Sequence, residues 1–140
     1  MTGYCLDTDV ISAVLKPVPP LHLIRRLAVI PAECQFTTAI TVGELTYAAA
    51  RCGNARLAER VQHLIHEASV VLPFDEVAAR TYGELRATLE QAGQPLAEPD
   101  LRIASIALAN ELTVVTGTVR HFDRVPGLAV ENWLEEPFSS

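Results

Sequence analysis

The stretch YCLDTDVI, residues 4–11, places two aspartates between two short apolar runs. Asp is favoured at turns and helix caps and is depleted in strands. The pattern therefore predicts a short strand that ends near Asp7, followed by a helix that begins at Val10 and is capped by Thr8 or Asp9. Because this leaves Asp7 without a capping role, we interpret it as a functional acid at the end of the strand.

The composition is that of an ordinary globular domain. The chain has 140 residues, of which 49% are hydrophobic, so we expect a single domain, residues 1–140, with a sizeable core. The sequence lacks a membrane-spanning run and a signal peptide, which predicts a cytoplasmic protein that does not enter the membrane. Its three cysteines lack CxxC spacing and are interpreted as reduced thiols. The net charge of -6 argues against a broad basic surface for duplex nucleic acid, but local binding stays possible.

Beyond residues 4–11, short apolar runs alternate with segments of helical periodicity. Strands that alternate with helices of about ten residues or more predict an α/β fold with a mainly parallel central sheet flanked by helices. Ligands of such sheets bind beyond the carboxyl ends of the strands, which is where Asp7 would lie. The predicted strands are 35–38, 70–72, 113–115 and 128–130; the predicted helices are 21–30, 38–52, 75–93, 100–110 and 131–134, with another whose apolar face is formed by residues 57, 61, 64, 65 and 68, and 117–127 is predicted to be a loop.

Two further acids stand out by their surroundings. Glu44 is the one charged residue of the helical run AITVGELTYAAA, residues 39–50, so we expect a well-covered helix in which Glu44 is paired or bound to metal. Alternatively, Glu44 points outward or pairs with Arg51. Asp100 begins a helix and projects along its apolar face; a capping role would also explain it, with Glu98 as an alternative first-turn acid.

Asp7, Glu44 and Asp100 are far apart in the chain, but each is expected at the same edge of the sheet. Three like charges held close together repel strongly unless a cation neutralises them. Carboxylates without neighbouring Cys or His suit Mg²⁺ or Mn²⁺ better than zinc. Because Mg²⁺ also binds phosphate, the chemistry that this set predicts is phosphodiester hydrolysis.

Four blocks of the sequence carry a resemblance that runs over nearly the whole chain. In their order and spacing they resemble the PIN-domain nucleases, and in particular the VapC-type toxins of bacterial toxin–antitoxin pairs. The blocks are LDTDVIS at 6–12, AITVGEL at 39–45, PDLRIASIALAN at 99–110 and VVTGTVRHFDRVPGLAVENW at 114–133.

The resemblance implies a single PIN-like domain with Asp7, Glu44 and Asp100 as catalytic, metal-binding acids. It also implies an endoribonuclease that depends on Mg²⁺ or Mn²⁺ and hydrolyses RNA phosphodiester bonds with a metal-activated water. A cognate VapB-type antitoxin would bind and inhibit the protein, and family members usually form homodimers.

The chain departs from the family where many relatives have Asp or Asn and this sequence has Thr118. We therefore expect one firmly held ion, with Thr116, Thr118 and Asp9 acting in the second shell or through water. Arg102 and Arg120 are candidates for contacts to RNA phosphates, with surface salt bridges as the alternative.

The residues around the site leave other interpretations open. His121 is interpreted as a surface residue of the loop. LDTDV also matches the Asp-x-Asp motif of haloacid dehalogenase-like phosphatases, in which Asp7 would be a nucleophile. Such enzymes need a downstream cation, commonly Lys, and the one lysine here, Lys16, lies directly behind the motif. A second alternative is a catalytically inactive PIN-like binding module, which Thr118 would explain.

Overall fold

The sheet and helices are those of an α/β fold. A computed structural model describes residues 2–68 and 70–135 of the chain, which form five parallel strands in the order β3-β2-β1-β4-β5 and seven α-helices. The strands are β1 (Tyr4–Leu6), β2 (Gln35–Thr38), β3 (Val70–Leu72), β4 (Thr113–Val115) and β5 (Val130–Glu131). The helices are α1 (Thr8–Val14), α2 (Leu21–Val29), α3 (Ala39–Arg51), α4 (Ala55–Ala68), α5 (Glu76–Gln91), α6 (Glu98–Ala109) and α7 (Val119–Phe122).

The central strand, β1, is the one that the opening stretch of the sequence forms. It pairs in parallel with β2 on one side and with β4 on the other, so that Cys5 lies between Phe36 and Val114. Beyond the strand, the Asp7 amide still donates to the Val115 carbonyl at 2.9 Å. The carboxyl ends of β1 and β4 therefore lie side by side at the same edge of the sheet.

Each face of the sheet carries its own hydrophobic core. Successive strand residues point to opposite faces, and accordingly Cys5 and Val114 pack with α5 and α6, while Leu6 and Val115 pack with α1, α2 and α4. The helices on both faces bury the central strands of the sheet, as apolar parallel strands require, while Val70 of the edge strand β3 is 51% exposed. Among the described residues, no helix is long and apolar enough to span a membrane.

The structure confirms the predicted fold class and most of the predicted elements. Strands β2, β3 and β4 have the predicted bounds, and α5 follows its predicted cap, Asp75, whose carboxylate accepts a hydrogen bond from the Ala78 amide. In the described part of the chain the three cysteines are free thiols, as expected.

Several of the predicted elements differ from the structure. Helix α1 begins at Thr8 instead of Val10, and α6 begins at Glu98, because Pro99 fits the first turn of a helix, where no amide partner is needed. The predicted loop 117–127 contains the short helix α7. The last strand is Val130–Glu131 instead of 128–130, and no helix follows in the described residues up to 135.

Candidate active site

Asp7 lies at the junction of β1 and α1 and is 5% exposed. It is itself the N-cap of α1, since its Oδ1 accepts a hydrogen bond from the Thr8 amide at 2.8 Å. The interpretation that its neighbours fill the capping role was therefore wrong. Its other oxygen, Oδ2, accepts a hydrogen bond from Thr116 Oγ1 at 2.9 Å, across the sheet edge from the end of β4.

The surroundings of Asp7 favour its protonated form. The pKa of Asp7 is raised to about 7: burial is the main cause and the nearby carboxylates of Asp9 and Asp100 contribute, while the hydrogen bonds from Thr8 and Thr116 oppose the shift. Asp7 is thus buried close to other carboxylates, and a bound cation would reduce the repulsion between their negative charges.

Glu44 reaches the same place from α3. Thr8 Oγ1 donates a hydrogen bond to Glu44 Oε1 at 2.6 Å, so Thr8 links α1 to α3. The salt bridges of the described residues do not include the alternative pair of Glu44 with Arg51. The helix around Glu44 is less covered than expected, since Tyr47 is 64% exposed. Helix α3 is therefore partly exposed, and its one acid, Glu44, is half-buried with the Thr8 hydroxyl as its partner.

Asp100 lies in the first turn of α6 and is half-buried. It is not a cap, because the N-cap of α6 is Ala97. His121 Nδ1 lies 3.2 Å from Asp100 Oδ2. Burial raises the pKa of Asp100, the neighbouring His121 lowers it in part, and Asp9 raises it. His121 was interpreted as a surface residue of a loop, but it belongs to α7, is half-exposed and faces Asp100.

The segment after β4 supplies the polar side chains that were expected near the acids. Thr116 is fully buried and its hydroxyl, which donates to Asp7, lies 3.0 Å from Thr118 Oγ1. The Asp9 carboxylate binds the same segment: Oδ2 accepts a hydrogen bond from the Gly117 amide at 2.9 Å, and Oδ1 lies 3.4 Å from Thr116 Oγ1.

These residues line a single cleft of about 550 Å³ at the carboxyl edge of the sheet. Acids from three separate parts of the chain thus line the same cleft, as the predicted sheet topology indicated. Thr8, Lys16 and His121 also line it, and the sequence interpretation did not place them there. The complete lining is Asp7, Thr8, Asp9, Ser12, Ala13, Lys16, Glu44, Asp100, Thr118 and His121.

The predicted RNA contacts lie outside this lining. Arg102 Nε is 3.2 Å from Glu98 Oε2, and its guanidinium lies 5.9 Å from the ring centres of Phe74 and Tyr82. Arg120 is exposed on α7. The structure therefore brings together Asp7, Asp9, Glu44, Asp100 and Thr118 around the cleft, with Thr116 behind them, and leaves the two arginines apart.

The chemistry of the cleft suits a hard divalent cation. Within residues 2–68 and 70–135, no group of three or more His, Cys, Asp or Glu side chains is arranged so that it could hold a metal ion. Mg²⁺, however, commonly binds through one or two carboxylates and keeps several waters. The carboxylate and hydroxyl oxygens of the cleft fit such an ion, with part of the contact made through water.

The cleft lies at the carboxyl edge of a parallel sheet, which is where α/β proteins bind ligands, and its carboxylates suit metal-assisted chemistry on phosphate esters. The sequence comparison is specific: the family model described as PIN domain matches residues 4–128, and the chain belongs to the PIN-domain family.

Relatives in this family are ribonucleases. The chain is 30% identical to Ribonuclease VapC2 of Haemophilus influenzae, over 96% of this chain and 100% of that protein. It is 32% identical to the tRNA(fMet)-specific endonuclease VapC of Salmonella typhimurium, over 95% of this chain and 99% of that protein. A crystal structure of DNA-bound VapBC from Salmonella typhimurium superimposes with a TM-score of 0.81 at 31% identity, covering 95% of this chain and 99% of that one. These matches favour a nuclease over the haloacid dehalogenase-like phosphatase.

Proposed function

We propose that this protein is the endoribonuclease toxin of a type II toxin–antitoxin pair of the VapBC kind, and that it depends on Mg²⁺ or Mn²⁺. The observation that carries the proposal is the shared cleft: Asp7, Glu44 and Asp100 line one space at the sheet edge, in a chain whose relatives are named VapC ribonucleases. The whole of residues 1–140 would form one nuclease domain.

The chain's own residues would hold the ion and keep its ligands in place. Asp7, Glu44 and Asp100 would bind it, directly or through water, and when bound it would supply charge for the phosphoryl oxygens and lower the pKa of a water. Thr8 fixes the Glu44 carboxylate by a hydrogen bond. Thr116 would orient Asp7 through its hydrogen bond, and Asp9 would hold the 116–118 segment through the Gly117 amide. Thr118 would offer a neutral hydroxyl to a water of the ion.

The partners follow from the same relationship. The Salmonella relative was solved as a VapBC complex, and for this chain we propose a VapB-type antitoxin that inhibits the cleavage of RNA. We further propose a homodimer that works in the cytoplasm. Arg102 and Arg120 would contact RNA outside the cleft, at the flank of the bound strand.

RNA cleavage by the purified protein tests the assignment. The wild type should cut RNA with Mg²⁺ or Mn²⁺ and lose this activity with a chelator, and Asp7→Asn should be at least ~100-fold slower. Equal cleavage by wild type and Asp7→Asn, with and without chelator, would remove the proposed site. A folded wild type that cuts no RNA with either metal would instead be the inactive binding module.

A further inference from the structure

Lys16 is the cation of the cleft that is left available to an anionic ligand. The cleft has two side chains that can carry positive charge, Lys16 and His121. His121 already faces the Asp100 carboxylate at 3.2 Å. Lys16 is exposed, and the salt bridges that the described residues form do not include it.

Lys16 follows the carboxyl end of α1, directly after the C-cap residue Leu15. Asp9 and Ser12 of the helix line the cleft together with Lys16. At a rise of about 1.5 Å per residue, the seven residues of α1 span roughly 10 Å. Asp7 and Asp9 thus lie at the amino end of this helix, and Lys16 lies beyond its carboxyl end.

An RNA strand that enters this cleft meets mostly negative charge. Four carboxylates line it, and the whole chain has a net charge of -6. A positive group beside the acids would therefore help to hold the phosphodiester backbone in the cleft while one of its phosphates faces the acids. Lysine binds phosphate as a mobile point charge, which suits a contact that fixes position without base recognition.

We propose that Lys16 binds a backbone phosphate that flanks the scissile one and so holds the RNA strand along α1. The proposal rests on the ribonuclease function proposed above. Lys16 is the chain's single lysine, and its place in the cleft distinguishes it from Arg102, which is bound to Glu98.

The test compares Lys16→Met, which keeps the apolar part of the side chain, with Lys16→Arg, which keeps the charge. Binding of a short labelled single-stranded RNA of mixed sequence is followed by fluorescence anisotropy in chelator at several salt concentrations. Lys16→Met should weaken binding roughly two- to fivefold. It should also reduce the slope of log affinity against log salt by about 0.7, the value for one lost phosphate contact on a single strand. Lys16→Arg should restore both.

Cleavage kinetics and a control variant complete the test. With metal present, Lys16→Met should raise KM while kcat stays within about twofold. Arg80→Met removes one exposed positive charge on α5 that pairs with Glu76, and it should change neither affinity nor salt slope. A wild type that cleaves RNA, together with a Lys16→Met variant of unchanged KM and salt slope, overturns this proposal and leaves the ribonuclease function standing. A wild type that binds RNA through Lys16 but cleaves none with either metal overturns the ribonuclease function alone.

Discussion

The Asp7 carboxylate caps α1 with one oxygen and receives the Thr116 hydroxyl with the other, yet its pKa is raised to about 7. Two hydrogen bonds normally favour the charged form. Here burial outweighs them, and the carboxylates of Asp9 and Asp100 add to the shift. The folded protein thus holds a carboxyl group whose ionisation is unfavourable in the absence of a cation.

This raised pKa predicts a pH-dependent stability of the metal-free protein. The folded state binds the Asp7 proton more tightly than the unfolded chain, whose Asp pKa is about 3.8. The tighter proton binding by Asp7 therefore stabilises the folded state by at most ~4 kcal/mol below pH ~4. This stabilisation is lost as the pH rises to ~7. Asp7→Asn stays neutral, so it should be more stable than the wild type by an amount that grows between pH 4 and 7 and is constant above.

Urea unfolding in chelator over this pH range measures the difference. Asparagine still caps a helix, so the local structure of α1 is kept. Asp75→Asn, at the cap of α5, is the matched control for replacing a capping carboxylate by an amide. A constant difference between Asp7→Asn and the wild type from pH 4 to 8 would contradict the assignment of a raised pKa to Asp7.

The structure adds Thr8 to the residues that shape the site, because its side chain contacts Glu44. Its hydroxyl donates to Glu44 Oε1 at 2.6 Å and lies 3.1 Å from Thr41 Oγ1. Thr8→Val keeps the shape but removes the donor to a charged group, an interaction of about 1.5–3 kcal/mol. We expect RNA cleavage to fall about tenfold or more in Thr8→Val and to recover in Thr8→Ser, with initial rates as the measurement. Equal rates for Thr8→Val and Thr8→Ser would show that the hydroxyl does not position Glu44.

At the scale of elements, the segment between β4 and α7 is shaped by a close approach. An added Cβ at Gly117 would lie 2.6 Å from Leu134 Cδ1 and 2.9 Å from Asp9 Oδ2. The absence of a side chain at this position lets the Asp9 carboxylate reach the Gly117 amide. The contact between α1 and the 116–118 segment, and with it the position of Thr118, depends on a glycine.

Gly117→Ala and Gly83→Ala should therefore have opposite effects on stability. Gly117→Ala must displace Leu134 or Asp9 and should cost about 1–3 kcal/mol of the free energy of unfolding. Gly83 lies in the exposed interior of α5 with nothing within 4 Å of an added Cβ, so Gly83→Ala should gain about 0.5–1 kcal/mol. Thermal and urea unfolding check both. A neutral Gly117→Ala would mean that the segment moves freely away from Asp9.

The elements that the sequence predicted well are those with a local cause. Val70–Leu72 and Thr113–Val115 are short β-branched or apolar runs with clear ends, and Asp75 has no role that competes with its cap. The three acids could be placed at one edge because parallel strands share their carboxyl ends. The family blocks strengthened this placement but did not give side-chain geometry.

The errors have two causes, a missed local signal and tertiary context. The start of α6 at Glu98 has a local cause, because Pro99 fits the first turn of a helix. His121 reaches Asp100 only because four residues of the predicted loop form α7. Lys16 lines the cleft from beyond the carboxyl end of α1, a position that only the arrangement of the folded segments around the cleft reveals.

At the scale of the whole molecule, the cleft connects segments that are distant in the sequence. Thr116 bonds to Asp7 over 109 positions, and Thr8 bonds to Glu44 over 36. The neighbouring strands β1 and β4, and the helices that follow β1 and β2, meet at this edge of the sheet. A ligand bound between these segments would therefore join α1, α3 and α6, and would stabilise the fold as well as take part in the chemistry.

Metal binding should accordingly stabilise the folded protein. Excess Mn²⁺ at about 100 times its Kd should raise the free energy of unfolding by ~2.7 kcal/mol relative to chelator. Because the ion competes with the proton of Asp7, whose pKa is about 7, the affinity should fall about tenfold for each pH unit below ~7. Calorimetry at pH 6 and 8 and thermal unfolding with and without Mn²⁺ measure both effects.

Asp7→Asn should lose most of the stabilisation and the pH dependence, whereas Asp75→Asn should keep them, since it lies at another helix cap. Equal stabilisation of wild type and Asp7→Asn by Mn²⁺ would place the bound ion elsewhere than in this cleft.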